Sequence, residues 1–511
     1  MSTETKKKVT VLDRIERVGN ALPHPATIFL ILSAVIVVLS FFLTGTSVTY
    51  EGVKDGVVQE LTVTVNNLLS KEGIQYLFTS AITNFTGFAP LGTVLVALLG
   101  VGLAEGTGYI GSLLKRLVLS TPPRLITVVV VLAGVLSSIA SDAGYVILIP
   151  LGGMIFLSMG RHPLAGIAAT FAGVSGGFSA NIMVGPVDSL LAGLTEEGAK
   201  LFDPSYTVGI QANWFFLIAS TVLITVIGTL VTELIVEPRL GQYKGDAKVQ
   251  SMEMTDAERR GLRFGNITFW ILMIIIGFLA FPDNGLLHGE APGMEGVLTS
   301  PFMSGIVVVI ALLFGLVGIA YGIGAKTISN DKDVMDLMGK SMATMGGYLV
   351  LVFFAAQFVA YFSYTNLGTI IAVNGASFLE SLGLTGIPLI LLFILVTALI
   401  NIFMGSASAK WAIMAPIFVP MLMQLGFSPE FTQMAFRVGD STTNLISPLM
   451  SYFALIVTFA ANYDKKSGIG TMISTMIPYS IALLIGWSIL LIVWFTCNLP
   501  LGPGVEMFYN M

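Results

Sequence analysis

Five ionisable residues interrupt long apolar stretches of this chain: Asp142, Asp188, Lys410, Arg437 and Asp440. A charge facing lipid near the bilayer centre costs about 2.5–3.5 kcal/mol or more, so each of these must face a cavity or a partner. Two chemistries suit them. A carboxylate among hydroxyls and amides holds a small hard cation, and Asp440 runs directly into Ser441, Thr442, Thr443 and Asn444. Asn181, Asn401, Ser141, Ser406 and Ser408 add oxygen donors of the same kind. A guanidinium, Arg437, would steer an anion. Trp411, directly after the polar run Gly405-Ser-Ala-Ser-Ala-Lys410, is either a stacking surface for an aromatic ligand or a packing element. Asn181, Asn401, Asp440 and Asn444 are therefore the candidate cation ligands, for Na⁺ or for a carboxyl that takes up H⁺. Arg437 and Asp440, three apart on one helix, are close enough to form a structural ion pair. Asparagines inside a membrane also serve as interhelical glue.

Composition says what must carry these groups. The chain has 511 residues, 55% hydrophobic and only 11% charged, with mean hydropathy +0.86. Soluble chains carry about 25% charged residues. A soluble enzyme, a disordered chain and a nucleic-acid binder are thereby excluded, and a net charge of -5 offers nothing to a polyanion. One cysteine, Cys497, allows no internal disulfide, and three dispersed histidines make no metal cluster. The expected class is an all-α polytopic membrane protein with the lipid bilayer as its solvent and no cofactor beyond a coupling ion.

About 20 apolar residues span a bilayer core. Full-length candidates lie near 27–45, 88–104, 163–194, 212–236, 265–281, 303–323, 341–363, 430–461 and 471–496. Residues 123–158 and 387–424 are each broken by a small polar run into halves of about 14–17 residues, which reads as two re-entrant hairpins with polar tips. The organisation is then a cytoplasmic N-terminus 1–26, an anchor and scaffold 27–104 with an external loop, a first core 123–194, further scaffold spans 212–363, a second core 387–461, and a last span with an external C-terminus, 471–511. Of the 25 Lys and Arg, 20 fall on the N-terminal side of this nine-span layout and 3 on the other. That asymmetry places the N-terminus in the cytoplasm. The loops 46–87 and 237–264 read as solvated connectors.

The two cores repeat. Tyr145-Val-Ile-Leu-Ile-Pro150 matches Trp411-Ala-Ile-Met-Ala-Pro416, and at the same offset of 266 Gly160 meets Gly426 and Pro163 meets Pro429. After a small gap Asn181 and Pro186 lie beside Asn444 and Pro448. The layout inverts one copy relative to the other, the plan of secondary transporters, whose broken helices place substrate and ion sites near the midplane. Free N–H groups at a break favour anions and free carbonyls favour cations. Glycines 173, 176, 177 and 439 are expected to allow the unwinding, and Pro186 and Pro448 to restart the second half-helices.

At these residues the chain resembles the AbgT family, the p-aminobenzoyl-glutamate transporters. The resemblance is carried by Asn84-Phe-Thr-Gly-Phe-Ala-Pro-Leu-Gly92, Ser141-Asp142 with Gly160-Arg-His-Pro163, Glu237-Pro-Arg-Leu-Gly-Gln242, and Ala415-Pro-Ile-Phe-Val-Pro420 with Arg437 and Asp440-Ser441. It covers nearly the whole chain. It implies a homodimer in the bacterial inner membrane, nine spans and two hairpins per subunit, and movement of p-aminobenzoyl-glutamate driven by a cation gradient. Some members resemble exporters of p-aminobenzoate-type antimetabolites, including sulfonamides. Carried over by motif, the implied substrate positions are Asp188, Ser408, Trp411, Pro429, Arg437 and Pro448, with Asn401 and Asp440 near the cation; Lys410 inherits no role. A dicarboxylate or other organic-anion carrier would share the plan without needing an aromatic platform. An intramembrane aspartyl enzyme would pair Asp142 or Asp188 with Asp440, against which stand the adjacent Lys410 and Arg437.

Overall fold

The computed structural model describes residues 23–509 apart from 55–56, 141–143, 246, 248–252, 299, 451 and 466. Asp142 and Ser141, at the tip of the first hairpin, lie outside the described residues. Within them, eight helices are long and apolar enough to cross a bilayer, from Pro25–Phe42 to Ile469–Thr496. A ninth arises if Tyr109–Leu119 and Pro123–Ile139, bent by 113°, are taken together. The eight include Gly386–Phe403, the first arm of the second hairpin. Both arms of that hairpin, Gly386–Phe403 and Ala407–Gln424, are 18 residues long, somewhat more than the sequence suggests, because Ser406 caps the second arm at the tip by accepting from Ala409 N (3.3 Å). The loop 46–87 is not merely a connector. Strands Ser47–Lys54 and Val57–Thr64 pair antiparallel with Val48 opposite Val63 and Tyr50 opposite Leu61, and the Tyr50 ring meets Phe202 at 5.4 Å. A period-two alternation of Val and Thr carries that signal in the sequence.

The repeat is visible in backbone contacts. In each copy the hairpin arms pack less on one another than on the helix that follows. Ile126–Leu136 and Ile149–Ser158 clasp Pro163–Phe171, and Gly386–Phe403 and Ala407–Gln424 clasp Pro429–Asn444. Gly173 and Gly439, 266 apart, do the same job in the two copies: a Cβ at Gly173 would lie 2.3 Å from Val131 O, and one at Gly439 2.5 Å from Ile394 O. Pro163 and Pro429 each open their helix, capped by His162 and Ser428 side chains.

The copies differ where they break. The first passes through a wide turn at Ala172–Gly176 and resumes at Pro186, as expected. The second stays α-helical through Gly439 to Asn444 and resumes at Phe453. Two sequence expectations are corrected here. Gly439 serves close helix packing rather than unwinding, and Pro448 lies in the turn between the half-helices rather than at the start of one.

Helix Trp214–Val231 and its continuation to Leu240 act as a ruler for the inversion. At one end Phe215 N donates to Leu501 O (2.9 Å); at the other Glu237 pairs with Arg161 at the base of the first hairpin. The base of the second hairpin belongs to the opposite end. There Ser428 N donates to Met507 O and Tyr509 N to Gly426 O (both 2.9 Å), and Leu501 and Met507 are fully buried. The hairpins thus open on opposite faces, and the two contacts along this helix are about 33 Å apart at 1.5 Å per residue. With Cys497, which is exposed, replaced, single cysteines at Gly245 and Gly285 test which face is which. An impermeant thiol reagent applied to intact cells is expected to mark Gly285→Cys and spare Gly245→Cys; the opposite pattern reverses the orientation.

Candidate functional site

Every residue of Pro429–Asn444 is buried. Its polar side chains at 430, 433, 437, 440 and 444 alternate spacings of three and four, so they share one face. Buried polar groups without partners are costly, and each of these reaches a partner outside its own helix. Glu430 Oε2 accepts from Tyr206 OH (2.9 Å). Gln433 Nε2 donates to Thr195 Oγ1 (2.7 Å), while its Oε1 accepts from Asn213 Nδ2 (2.6 Å). Arg437 Nη1 lies 2.7 Å from Asp188 Oδ1, and Asp440 Oδ1 lies 2.5 Å from Lys410 Nζ. Asn444 Oδ1 accepts from Asn401 Nδ2 (2.8 Å).

Arg437 and Asp440 therefore do not pair with each other. Three residues along the helix, one side chain points at the first repeat and the other at the second hairpin. Asp188 holds two positions at once, since its Oδ2 also accepts from Gly185 N (2.7 Å) and caps helix Pro186–Ala199. Lys410 also donates to Asn401 Oδ1. Asn401 Nδ2 is shared among Asp440 O (2.6 Å), Thr443 Oγ1 (3.0 Å) and Asn444. The expected cation ligands Asn401, Asp440 and Asn444 thus form one cluster, with the Lys410 ammonium at its centre. Asn181 belongs elsewhere: its amide donates to Ser138 Oγ (3.1 Å) and its carbonyl takes Ile182 N (2.9 Å), beside the Arg437–Asp188 pair.

A cavity of about 390 Å³ opens against this cluster, within the roughly 300–1,000 Å³ of ligand pockets. The hairpin tip Gly405–Ser408 forms one wall and Asn444 another. Pro186 and Val187 bring the first turn of a helix from the other repeat. Tyr145 and Tyr452, ring centroids 4.6 Å apart and nearly parallel, give the cavity an aromatic side. Ser408 lines this space. Trp411 does not: it is fully buried, its ring 4.5 Å from Phe436 and its Nε1 donating to Thr195 Oγ1 (2.9 Å). Pro429 sits at the far end of its helix, about 22 Å along the axis from Asn444.

Sequence reasoning passed over Glu430, Gln433, Thr195 and the tyrosine pair. The first two carry a readable signal, the three-four spacing that continues through 437, 440 and 444. Glu430 by itself looks like an ordinary acidic first-turn residue, and the stacking of Tyr145 on Tyr452 is a tertiary contact with no local trace.

A model of the AbgT putative transporter family matches residues 10–509. The p-aminobenzoyl-glutamate transport protein of Escherichia coli (strain K12) is 40% identical over 491 residues, 96% of each chain. Two solved structures share the fold at 47% identity. The Alcanivorax borkumensis YdaH transporter, described as having an unusual topology, superposes with TM-score 0.88 over 94% of this chain and all of that one. Neisseria gonorrhoeae MtrF, described as illuminating a class of antimetabolite efflux pumps, gives 0.90 over 97% of this chain and all of its own.

The Arg437–Asp188 pair joins the two repeats with both side chains nearly enclosed. Removing one charge strands the other, at a cost of about 3–5 kcal/mol. Asp188→Asn alone is expected to lower the unfolding temperature in detergent sharply, and Asp188→Asn with Arg437→Gln to recover part of the loss. Strictly additive losses in that double-mutant cycle would show that the two groups do not interact.

Proposed function

The chain belongs to the AbgT family of transporters, and from that premise we propose that it is a cation-gradient-coupled secondary carrier of p-aminobenzoyl-glutamate and related p-aminobenzoate-type compounds, sulfonamide antimetabolites among them. It is a multi-pass membrane transport protein and not an enzyme. Asp188 and Asp440, which an aspartyl enzyme would bring together, each face a cation instead.

The observation that carries the proposal is the double membership of Asn444, which lines the cavity and is hydrogen-bonded into the Asp440 cluster. A ligand at the tip of the second hairpin and a cation at Asp440 would then act on one continuous network. The cavity suits an aromatic dianion. Its tyrosines take the ring, and the first turns of Ala407–Gln424 and Pro186–Ala199, one from each repeat, favour carboxylates. Arg437, one layer deeper, is a second anion-attracting charge. A plain dicarboxylate carrier would need no aromatic wall. Trp411, packed beneath the tip, supports the hairpin arm that carries Ser408.

The oxygens at Asp440 suit Na⁺ or H⁺. Asp440 Oδ2, Ser441 Oγ and Thr397 Oγ1 are buried without hydrogen-bond partners among the described residues, the kind of donors a hard cation takes. Lys410 holds the site as a tethered cation. An incoming Na⁺ would compete for its oxygens, and protonation of Asp440 would cancel the charge that attracts it. Either event loosens Lys410, and with it the arm Ala407–Gln424, from the helix that carries Asp440. We place this machine in the bacterial inner membrane as a homodimer, N-terminus in the cytoplasm and C-terminus outside; the positive-charge asymmetry of the loops supports the orientation.

Three measurements test the reading. Substrate counterflow by the wild type should be saturable; its absence for any aminobenzoyl compound would remove the substrate assignment. Tyr452→Leu is expected to weaken binding of the aromatic substrate by roughly 0.5–1.5 kcal/mol while sparing a non-aromatic competitor; equal loss for both would point to a packing defect. Asp440→Asn keeps shape and removes charge. It should reach the membrane and retain some exchange, but lose accumulation driven by an H⁺ or Na⁺ gradient. Wild-type accumulation by this variant would return Asp440 to a purely structural role with Lys410.

A further inference from the structure

A second built pocket lies outside the transport core, between Tyr109–Leu119 and Asp256–Ala280. Arg116 comes from the first helix, and Arg259, Arg263 and Asn266 from one face of the second; together they line a space of about 510 Å³. Like charges gathered around one space repel, and a local counter-ion would be the ordinary remedy. None is present among the described residues. Among the described residues no ion pair or hydrogen bond engages any of the three guanidiniums. The carboxylate next to Arg259, Glu258, is taken by Lys115 (3.0 and 3.1 Å) and by the cap of its own helix.

An apolar cleft adjoins this pocket across Asn266. Asn266 also lines a neighbouring cavity of about 360 Å³, walled by Leu113, Leu117, Phe269, Trp270 and Leu313. Tyr109 OH donates to Asn266 Oδ1 (3.2 Å), which turns the amide into a polar ledge between the two spaces. Along Asp256–Ala280 the order is Arg259, Arg263, Asn266, Trp270, at helical spacing on one side. Trp270 is 65% exposed, as a residue bathed in lipid would be. Cationic groups at the end of a span, a polar ledge and a greasy slot below form the complement of an amphiphile with an anionic head.

We propose that this paired pocket binds one anionic phospholipid, its phosphate among Arg116, Arg259 and Arg263 and an acyl chain in the cleft under Asn266. Charge complementarity and the apolar cleft that shares Asn266 with the arginine pocket select a lipid over a soluble anion, which would have no use for the cleft. They also select it over a second copy of the chain, which would have to bring carboxylates to the arginines. The site rests on residues that the transport reading does not use.

The test uses the full chain, purified, stripped of lipid and loaded with phosphatidylglycerol or with phosphatidylcholine of the same acyl chains, and read by native mass spectrometry. The wild type should retain a phosphatidylglycerol adduct and little phosphatidylcholine. The triple variant Arg116→Gln, Arg259→Gln, Arg263→Gln should lose that adduct by roughly tenfold or more. A variant with Lys326, Lys332 and Lys340 changed to Gln, all exposed, removes the same charge and should retain it. Equal retention of both lipids, an undiminished adduct in the arginine variant, or full displacement by excess inorganic phosphate would each overturn the proposal. So would a change in the monomer–dimer ratio with lipid retention unaltered, which would mark the face as a subunit contact. Counterflow by the arginine variant confirms that it is folded. Failure of the lipid site leaves the transport assignment standing, and loss of counterflow in the wild type leaves the lipid result readable.

Discussion

A charge inside a bilayer has to be answered inside the protein, and this architecture is organised around one helix that carries several. Pro429–Asn444 has no residue at the surface, yet five of its positions are strongly polar. Each is met by a different partner: a loop tyrosine, a helix from the opposite repeat, an arm of its own hairpin. The clasping hairpins exist to make this possible. Two arms that packed on each other would leave the helix between them open to lipid; two arms spread around it seal it. The contact of Gly439 with the Ile394 carbonyl shows how tight that seal is, and the matching contact of Gly173 with Val131 shows that both repeats were built to the same specification.

The pairing pattern also separates two kinds of charge. Arg437–Asp188 runs between repeats and caps a helix, so its strength bears on whether the two halves stay registered. Lys410–Asp440 runs between a hairpin arm and the helix it encloses, within one repeat, and it adjoins the cavity through Asn401 and Asn444. The first joins the two repeats, and the second is the pair that connects to the cavity through hydrogen bonds. Both cross-pairings replace the simple i, i+3 pair of Arg437 with Asp440.

Much of this was legible in the sequence because membrane physics writes it there. Charge scarcity gave the class, the lengths of the apolar stretches gave most of the spans, and the 266-residue offset gave the repeat together with the helix-opening prolines. Charged residues in apolar segments pointed to the right helix. What escaped was whatever depends on a partner far along the chain. Nothing around Asp188 announces Arg437, 249 residues away. Trp411 reads as a platform beside a polar tip, and only tertiary packing turns it inward onto Phe436. The break in the second repeat was misplaced because a glycine that permits unwinding and a glycine that permits close approach look identical in one dimension.

The residues after the last span have a consequence for how the molecule is made. Leu501, Met507 and Tyr509 lock onto the segments at 215–216 and 426–428, and Tyr509 OH reaches Asp203 Oδ2 (3.0 Å). These are the surroundings of the end of Pro429–Asn444 that bears Glu430. A ribosome delivers residues 499–509 after everything they close over, so the polar helix enters the membrane before its enclosure is complete. Biogenesis therefore cannot proceed by adding finished layers one at a time. The polar partners of the row, from Asp188 to Lys410, are already made by then; what the tail adds is the cover over the end that bears Glu430.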